Sequence, residues 1–206
     1  MKSVTLMTMK GGDGKSTCAI NIAAWFADKG KQVHLSDSDV NRHCVKWFER
    51  AKLNEKYKPN FTVSGVAAVG RYLDGCELLV MDTMANITPD QVQDYVEASD
   101  LIVIPMRPSI DSYGPVLETV EAIAGRCAYR ILLNASPARS ADADEFMTDM
   151  HDDGFTIFET VIRQSIGVPR ASMRGIPVGH MGGSYRLAAL DFDGLCKEIQ
   201  TILEME

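Results

Sequence analysis

The amino-acid sequence predicts an α/β fold: a doubly wound, mostly parallel sheet with helices on both faces. Short, continuously apolar runs alternate along the chain with longer segments that have helical periodicity. Strands that are apolar at every residue are buried on both sides, as in a parallel sheet covered by helices. The chain has 206 residues, of which 46% are apolar, so we expect one domain over residues 1–206 with a sizeable core.

The predicted elements follow one another in the order that such a sheet requires. Strands are predicted at residues 3–7, 32–36, 77–81, 101–104 and 129–133. Helices are predicted at residues 17–29, 41–52, 89–98, 113–124, 141–151 and 184–204. Residues 163–183 are rich in glycine and proline, and this segment has the least regular pattern of the chain.

Composition and charge argue against several classes of protein. The net charge of −7 does not suggest a dedicated nucleic-acid or membrane-surface protein, although such an average can conceal a basic patch. The five cysteines are scattered without C-x-x-C spacing, which argues against a disulfide framework and a zinc or iron–sulfur site. No apolar run approaches the ~20 residues of a membrane span, and no signal peptide is recognisable, so we expect a cytoplasmic protein.

The segment between the first strand and the first helix is a predicted phosphate-binding loop. Its three glycines let main-chain N–H groups approach an anion, and the helix that follows adds its dipole. Lys15 is expected to reach the β- and γ-phosphates, Ser16 to ligate Mg²⁺ and Thr17 to donate to the α-phosphate. The alternative is a glycine-rich turn that binds nothing. The nucleotide-binding residues predicted here are Lys10, Gly11, Gly12, Asp13, Gly14, Lys15, Ser16 and Thr17.

One departure from the standard phosphate-loop pattern is informative. Met9 stands where glycine is usual, and Lys10 directly precedes two glycines. This K-G-G-x-G-K-[ST] pattern resembles the deviant Walker A loop of the ParA/MinD family of ATPases. The resemblance implies that Lys10 crosses a dimer interface to the phosphates of the other subunit, so that ATP holds a homodimer together and hydrolysis releases it. A solvated surface lysine is the alternative.

Three aspartates follow predicted strands and are candidates to bind magnesium or to orient the attacking water. Asp82 ends a long apolar run, as a Walker B aspartate that holds Mg²⁺ through its water shell does. The Asp37-x-Asp39 pair resembles the family's switch I motif, which implies that Asp37 lies near the metal and that Asp39 orients the attacking water. Asp39 and Asp82 could instead cap a helix. The predicted metal residues are Ser16, Asp37 and Asp82, and the predicted catalytic residues are Lys10, Lys15 and Asp39.

Both loops after these strands depart from the family pattern. Val40 and Asn41 replace the usual proline and glutamine, and residues 83–85 replace a common T-P-P. The resemblance nevertheless continues through the second half of the chain. It implies that Asn134 hydrogen-bonds the adenine base, for which a simple turn residue is the alternative. It also implies that the backbone of Pro177 and Val178 lines the base pocket.

The charge distribution is uneven. Residues 161–190 contain four arginines and no aspartate or glutamate. ParA-type proteins hold DNA without sequence preference through basic residues in this region, which implies phosphate contacts by these arginines. The alternatives are four solvated arginines, or one that contacts phosphate across the dimer. The predicted DNA-binding residues are Arg163, Arg170, Arg174 and Arg186.

The resemblance implies a magnesium-dependent, ParA-type partition ATPase. Such a protein would bind nucleoid DNA as an ATP homodimer, and a cargo-bound partner would stimulate hydrolysis. A MinD-like ATPase that cycles on membranes would need a basic amphipathic C-terminal helix, and residues 197–206 are acidic, so no membrane partner is expected. A biosynthetic enzyme that uses ATP to modify a small molecule on the same fold stays open as an alternative.

Overall fold

The computed structural model describes residues 1–85, 87–123, 125–137 and 141–205. Over these residues the chain forms a seven-stranded sheet in the order β3-β2-β4-β1-β5-β6-β7, and every strand pair in it is parallel. The strands are β1 Lys2–Leu6, β2 Val33–Asp37, β3 Thr62–Gly65, β4 Leu78–Asp82, β5 Leu101–Met106, β6 Tyr129–Ser136 and β7 Ile162–Arg163. The helices are α1 Lys15–Asp28, α2 His43–Leu53, α3 Pro89–Ala98, α4 Ile110–Ile123, α5 Ala141–Asp152, α6 Gly167–Arg174 and α7 Arg186–Ile202.

The predicted fold class is confirmed. All predicted strands and helices are present, with ends that differ by up to three residues; the predicted end at Ala124 lies outside the described residues. The sequence did not predict β3, β7 or α6. The segment predicted to be least regular therefore contains a strand and a helix, in addition to short 3₁₀ turns at Val178–His180 and Gly183–Tyr185.

The sheet has an apolar layer on each face. Along β5, Val103 packs into one layer, whereas its neighbours Ile102 and Ile104 pack into the other. The first layer contains side chains of α1, α2, α6 and α7, and the second contains side chains of α3, α4 and α5. This two-sided burial explains why the strands are apolar at successive residues.

The strand register brings the carboxyl ends of three strands together. Leu6 at the end of β1 pairs with Asp82 at the end of β4, and Asp82 pairs with Asp37 at the end of β2. The loop that leaves β1 therefore begins beside both aspartates, at the edge of the sheet where ligands of such folds bind.

The glycine- and proline-rich segment folds because each of these residues has a suitable place. Pro169 stands in the first turn of α6, where a missing N–H costs no helical hydrogen bond. Gly175 ends the helix with a φ of 65°, and a Cβ at this position would come within 2.7 Å of the Ala51 nitrogen on α2. Glycine thus permits both the helix end and the close crossing of the two helices. No helix among the described residues is long and apolar enough to span a membrane.

Candidate nucleotide-binding site

The predicted phosphate loop joins β1 to α1, and its backbone is shaped as such a loop requires. Gly12 and Gly14 have φ values of 94° and 92°, which glycine adopts without strain. A Cβ on Gly14 would overlap the amide nitrogen of Asn134, so only glycine fits there. Among the described residues no side chain caps α1, and no acidic residue lies in its first turn, so its N-terminal N–H groups are available to an anion.

Lys15 lies under this loop. Its side chain is buried, and its ammonium group donates to the main-chain oxygens of Lys10 at 3.1 Å and Thr8 at 3.5 Å. Burial lowers the pKa of Lys15, while the negative charges of Asp82, Asp13 and Asp39 act in the opposite direction. A cation held by main-chain carbonyls at the base of the loop is placed to bind phosphate oxygens.

Lys10 points to a different part of the molecule. Its ammonium group donates to the Asp111 carbonyl oxygen at 3.3 Å and to Ser112 Oγ at 3.4 Å, in the first turn of α4. These contacts are partly exposed, and the side chain is half-buried. The structure thus separates the two lysines of the loop, with Lys15 under the loop and Lys10 on the outside.

Asp82 meets the residues expected at a magnesium site. The side chain is fully buried, and its Oδ2 accepts a hydrogen bond from Cys44 Sγ at 3.1 Å. Its Oδ1 is buried without a hydrogen-bond partner among the described residues. Burial raises the pKa of Asp82 to about 6, and the nearby Asp37 also raises it, whereas the nearby Ser16 hydroxyl lowers it. A buried carboxylate with an unpartnered oxygen, in a site that also contains a serine hydroxyl, fits a hard divalent cation such as Mg²⁺.

Asp37 has a structural role at the same edge. Its Oδ2 accepts from the Val45 nitrogen in the first turn of α2 at 3.0 Å, and its Oδ1 accepts from the Asp39 nitrogen at 3.1 Å. Asp37 therefore supplies an acceptor to the first turn of α2, a role that the sequence did not predict for it, and any contact with a metal would add to that role. Asp39 is half-buried, and its Oδ1 accepts from the Asn41 nitrogen at 2.7 Å.

An open cleft of about 500 Å³ adjoins the loop and has the position of a base pocket. Asn134 lines it and donates its amide nitrogen to the Asp13 carbonyl oxygen at 2.6 Å, which fixes the orientation of the amide. The next residue, Ala135, has a φ of 52°, where the pairing of β6 with β7 shifts register. Such a strained backbone at the end of a strand is frequent at ligand sites.

Pro177 and Val178 do not line this cleft, and their predicted place beside the base stays a prediction. Both are buried, and the Val178 nitrogen donates to Asn21 Oδ1 on α1 at 2.8 Å. Val178 lines a separate small cavity, and Thr17, Val168 and Ser172 border both cavities and so separate them. The cleft is lined instead by the segment that connects β7 to α6, including Gln164 and Ser165.

The four arginines do not form one exposed group. Arg163 lines the cleft and donates through its Nε to both oxygens of Asp191, each at 3.0 Å, and its main-chain nitrogen also donates to Asp191. Arg163 thus has a buried acidic partner, and its predicted contact with DNA stays a prediction. Arg170, Arg174 and Arg186 are exposed, and Arg170 donates to the Tyr185 hydroxyl at 2.7 Å.

Sequence reasoning missed two residues of the site. Arg107 lines the cleft, and its main-chain N–H donates to the carboxylate of Asp13; burial raises the pKa of this aspartate, and Lys10, Lys15 and Arg107 lower it. No local pattern in the sequence reveals this contact, because Asp13 and Arg107 are far apart along the chain. Cys44 is fully buried against Asp82, and burial raises the pKa of its thiol well above the usual value. The sequence signal that could have identified Cys44 was its position shortly after the Asp37–Asp39 pair.

Comparisons with known proteins agree with this geometry. A family model described as VirC1 protein matches residues 1–153. The chain is 29% identical to maintenance of carboxysome distribution protein A of Gloeobacter kilaueensis, over 95% of this chain and 93% of that protein. It is 27% identical to Protein ParA of Rhizobium radiobacter, over 77% of each. A Cyanothece McdA variant in complex with ATP superposes with a TM-score of 0.76 at 17% identity, over 100% of this chain and 97% of that one.

Proposed function

Because the chain belongs to the VirC1 protein family, and with it to the ParA/MinD group of deviant Walker A ATPases, we propose that it is an ATP-dependent positioning protein. The observation that carries the proposal is the arrangement around the phosphate loop. Lys15 lies under a loop whose helix has no side-chain cap among the described residues, and Asp82, near Ser16, has one carboxylate oxygen without a hydrogen-bond partner among those residues. These groups match the phosphate and cation ends of MgATP.

The reaction is the hydrolysis of ATP to ADP and phosphate. Lys15 and the N–H groups of the loop bind the β- and γ-phosphates, and Asp39 orients the water that attacks the γ-phosphorus. Ser16, Asp82 and Asp37 are the residues that would hold Mg²⁺, and the ion would neutralise negative charge on the phosphates. Asn134 and the β7–α6 segment bind the base.

The second part of the proposal is an ATP-dependent homodimer. Lys10 is held only by a carbonyl and a hydroxyl at the surface of α4, and no acidic side chain among the described residues forms an ion pair with it. Such a lysine can leave its contacts for the phosphates of a second subunit at small cost. ATP then joins two copies through two-fold symmetry, and hydrolysis separates them.

The third part concerns what the dimer holds. Two relatives are named for carboxysome distribution and as ParA. We assign to this chain a related role, in which the ATP dimer binds DNA without sequence preference and positions or segregates a plasmid, a chromosome region or a protein assembly. A cargo-bound adaptor stimulates hydrolysis and thereby releases the dimer. This cycle would keep the protein in the cytoplasm, and on the nucleoid while ATP is bound.

Molar mass measured by light scattering with ATP and Mg²⁺ tests the proposal. The Asp39→Ala variant is expected to stay dimeric, because it binds ATP and does not hydrolyse it. Lys10→Ala is expected to bind ATP as a monomer, since it keeps the loop and lacks the lysine that crosses the interface. Lys15→Ala is expected to lose ATP binding itself. A monomeric mass for the ATP-bound Asp39→Ala protein would contradict the dimer, and the biosynthetic alternative would then be preferred.

A further inference from the structure

The loop that carries Asp39 is hydrogen-bonded to α3 through two side chains. The Tyr95 hydroxyl donates to Ser38 Oγ over 2.7 Å. Ser38 lies between Asp37 and Asp39, directly after β2, and Tyr95 lies on α3, the first helix after the strand that ends in Asp82. The bond therefore connects the segment that follows β2 with the segment that follows β4.

The main chain of the loop is fixed around this bond. The Ser38 nitrogen donates to the Asp82 carbonyl oxygen at 2.9 Å, and the Asp39 nitrogen donates to Asp37 Oδ1 at 3.1 Å. The Asn41 nitrogen in turn donates to Asp39 Oδ1. The main-chain nitrogens of Ser38, Asp39 and Asn41 are thus each held by a hydrogen bond. Because Ser38 and Asp39 are consecutive residues, a displacement of Ser38 would be transmitted to Asp39.

Tyr95 is well placed to hold this loop. Its ring is half-buried and packs against the apolar layer of α3, α4 and α5. The Tyr95 carbonyl oxygen accepts from Ser99 Oγ at 2.6 Å, and Ser99 Oγ lies 2.6 Å from Thr5 Oγ1 on β1. Burial raises the pKa of the Tyr95 hydroxyl, which therefore keeps the proton that it donates. The phenol belongs to a turn of α3 that is anchored to the centre of the sheet.

From this geometry we infer that Tyr95 is a positioning residue for hydrolysis, which acts through Ser38 to hold Asp39 where its carboxylate orients the attacking water. The inference rests on the proposed function. The bond also links the loop after β2 to α3, the helix that follows β4 and Asp82. A displacement of α3 on binding or losing the γ-phosphate would then reach Asp39 through the bond.

Steady-state ATP hydrolysis by the full chain provides the first test. Tyr95→Phe and Ser38→Ala each remove one partner, and each is expected to lower kcat about fivefold to tenfold with KM for ATP unchanged, since the bond positions a group rather than binding substrate. The double variant should be no slower than either single variant, and Ser38→Thr, which keeps a hydroxyl, should restore most of the rate. Tyr72→Phe is the matched control, because Tyr72 stacks on His34 at the β2–β3 side of the sheet.

Two outcomes of this test would overturn the inference. One is a double variant in which the two losses multiply, since independent effects show that the hydroxyls do not act as a pair. The other is a Tyr95→Phe protein whose kcat matches that of Tyr72→Phe. A wild-type protein without magnesium-dependent hydrolysis would instead contradict the proposed function.

Amide hydrogen exchange gives a reading that does not depend on turnover. Residues 37–45 are expected to exchange faster in Tyr95→Phe and Ser38→Ala than in the wild type, both alone and with ATP and Mg²⁺, because the loop has lost its contact with α3. Residues 62–71, which include β3, serve as the internal control and should be unchanged. Identical exchange of residues 37–45 in all three proteins would refute the inference even if hydrolysis could not be measured.

Discussion

Gly14 in the phosphate loop must be glycine for two reasons: its backbone has a positive φ, and a Cβ would overlap Asn134. A comparison with Gly30, which lies after α1, separates the two effects. Gly14 and Gly30 have similar positive φ values of 92° and 87°, but a Cβ meets nothing within 4 Å at Gly30 and overlaps Asn134 at Gly14. Substitution by alanine should cost each site about 1 kcal/mol or more of backbone strain. Only Gly14→Ala should also displace Asn134 from Asp13.

We therefore predict that Gly14→Ala weakens ATP binding at least about tenfold and that Gly30→Ala leaves it unchanged, although both lower the unfolding free energy. Isothermal titration with ATP and Mg²⁺, together with urea unfolding, measures the two effects on the same proteins. Wild-type ATP affinity in Gly14→Ala would show that the Asn134–Asp13 contact has no part in the site.

The sequence could identify site residues only where the pattern is local. Gly12, Gly14 and Lys15 are neighbours along the chain, and their spacing alone predicted the loop and the helix that begins near Lys15. The pairing of Arg163 with Asp191 was not visible in the sequence, because Asp191 lies 28 residues away and on another element. A window of sequence shows charge, but it does not show which charges are paired in the fold.

At the scale of elements, the outer edge of the sheet is closed by α7 rather than by another strand. Glu198 on α7 accepts from the Thr160 nitrogen at 2.7 Å and from the Glu159 nitrogen at 3.0 Å, just before β7. Asp191, seven residues earlier on the same helix, accepts from the Arg163 nitrogen at 3.1 Å. Two carboxylates thus satisfy N–H groups that a neighbouring strand would otherwise pair with.

Removal of this contact should destabilise the protein. We predict that Glu198→Ala lowers the unfolding free energy by about 1–2 kcal/mol, because two main-chain donors lose a charged acceptor at a half-buried site. Glu198→Gln should lose less, since one acceptor oxygen is retained. Urea denaturation measures the change, with Glu145→Ala on the surface of α5 as control. Equal stability of Glu198→Ala and Glu145→Ala would show that the edge does not depend on this carboxylate.

Elements with a continuous apolar run could be predicted from the sequence. Elements that form only through contacts with neighbouring elements could not. Leu78–Asp82 and Leu101–Met106 are buried at every residue, so their apolar runs are visible in the sequence. Thr62–Gly65 is a short strand with only one buried residue, and α6 contains both glycine and proline, which weaken a helical pattern. These elements form because the neighbouring β2 and α2 provide partners.

At the scale of the whole molecule, the exposed arginines and the nucleotide cleft share the same elements. Arg170 and Arg174 lie on α6, whose residues Val168, Ser172 and Met173 line the cleft, and Arg186 begins α7 next to Tyr185, which Arg170 contacts. A change in the cleft on ATP binding can therefore alter the basic surface directly. A dimer would also double the number of these arginines that face one DNA molecule.

This arrangement makes the DNA prediction specific. We expect the ATP-bound dimer to bind random duplex DNA with an affinity that falls steeply with salt. In the triple variant with alanine at Arg170, Arg174 and Arg186, the slope of log K against log [salt] should be smaller by about 2–3 per subunit. Arg71→Ala, an exposed arginine near β3, should leave the slope unchanged. Arg163→Ala should change ATP binding rather than the slope, because its guanidinium group is neutralised by Asp191 beside the cleft. Fluorescence anisotropy at several salt concentrations measures this slope for all these proteins. A wild-type slope in the triple variant would show that DNA contacts another surface.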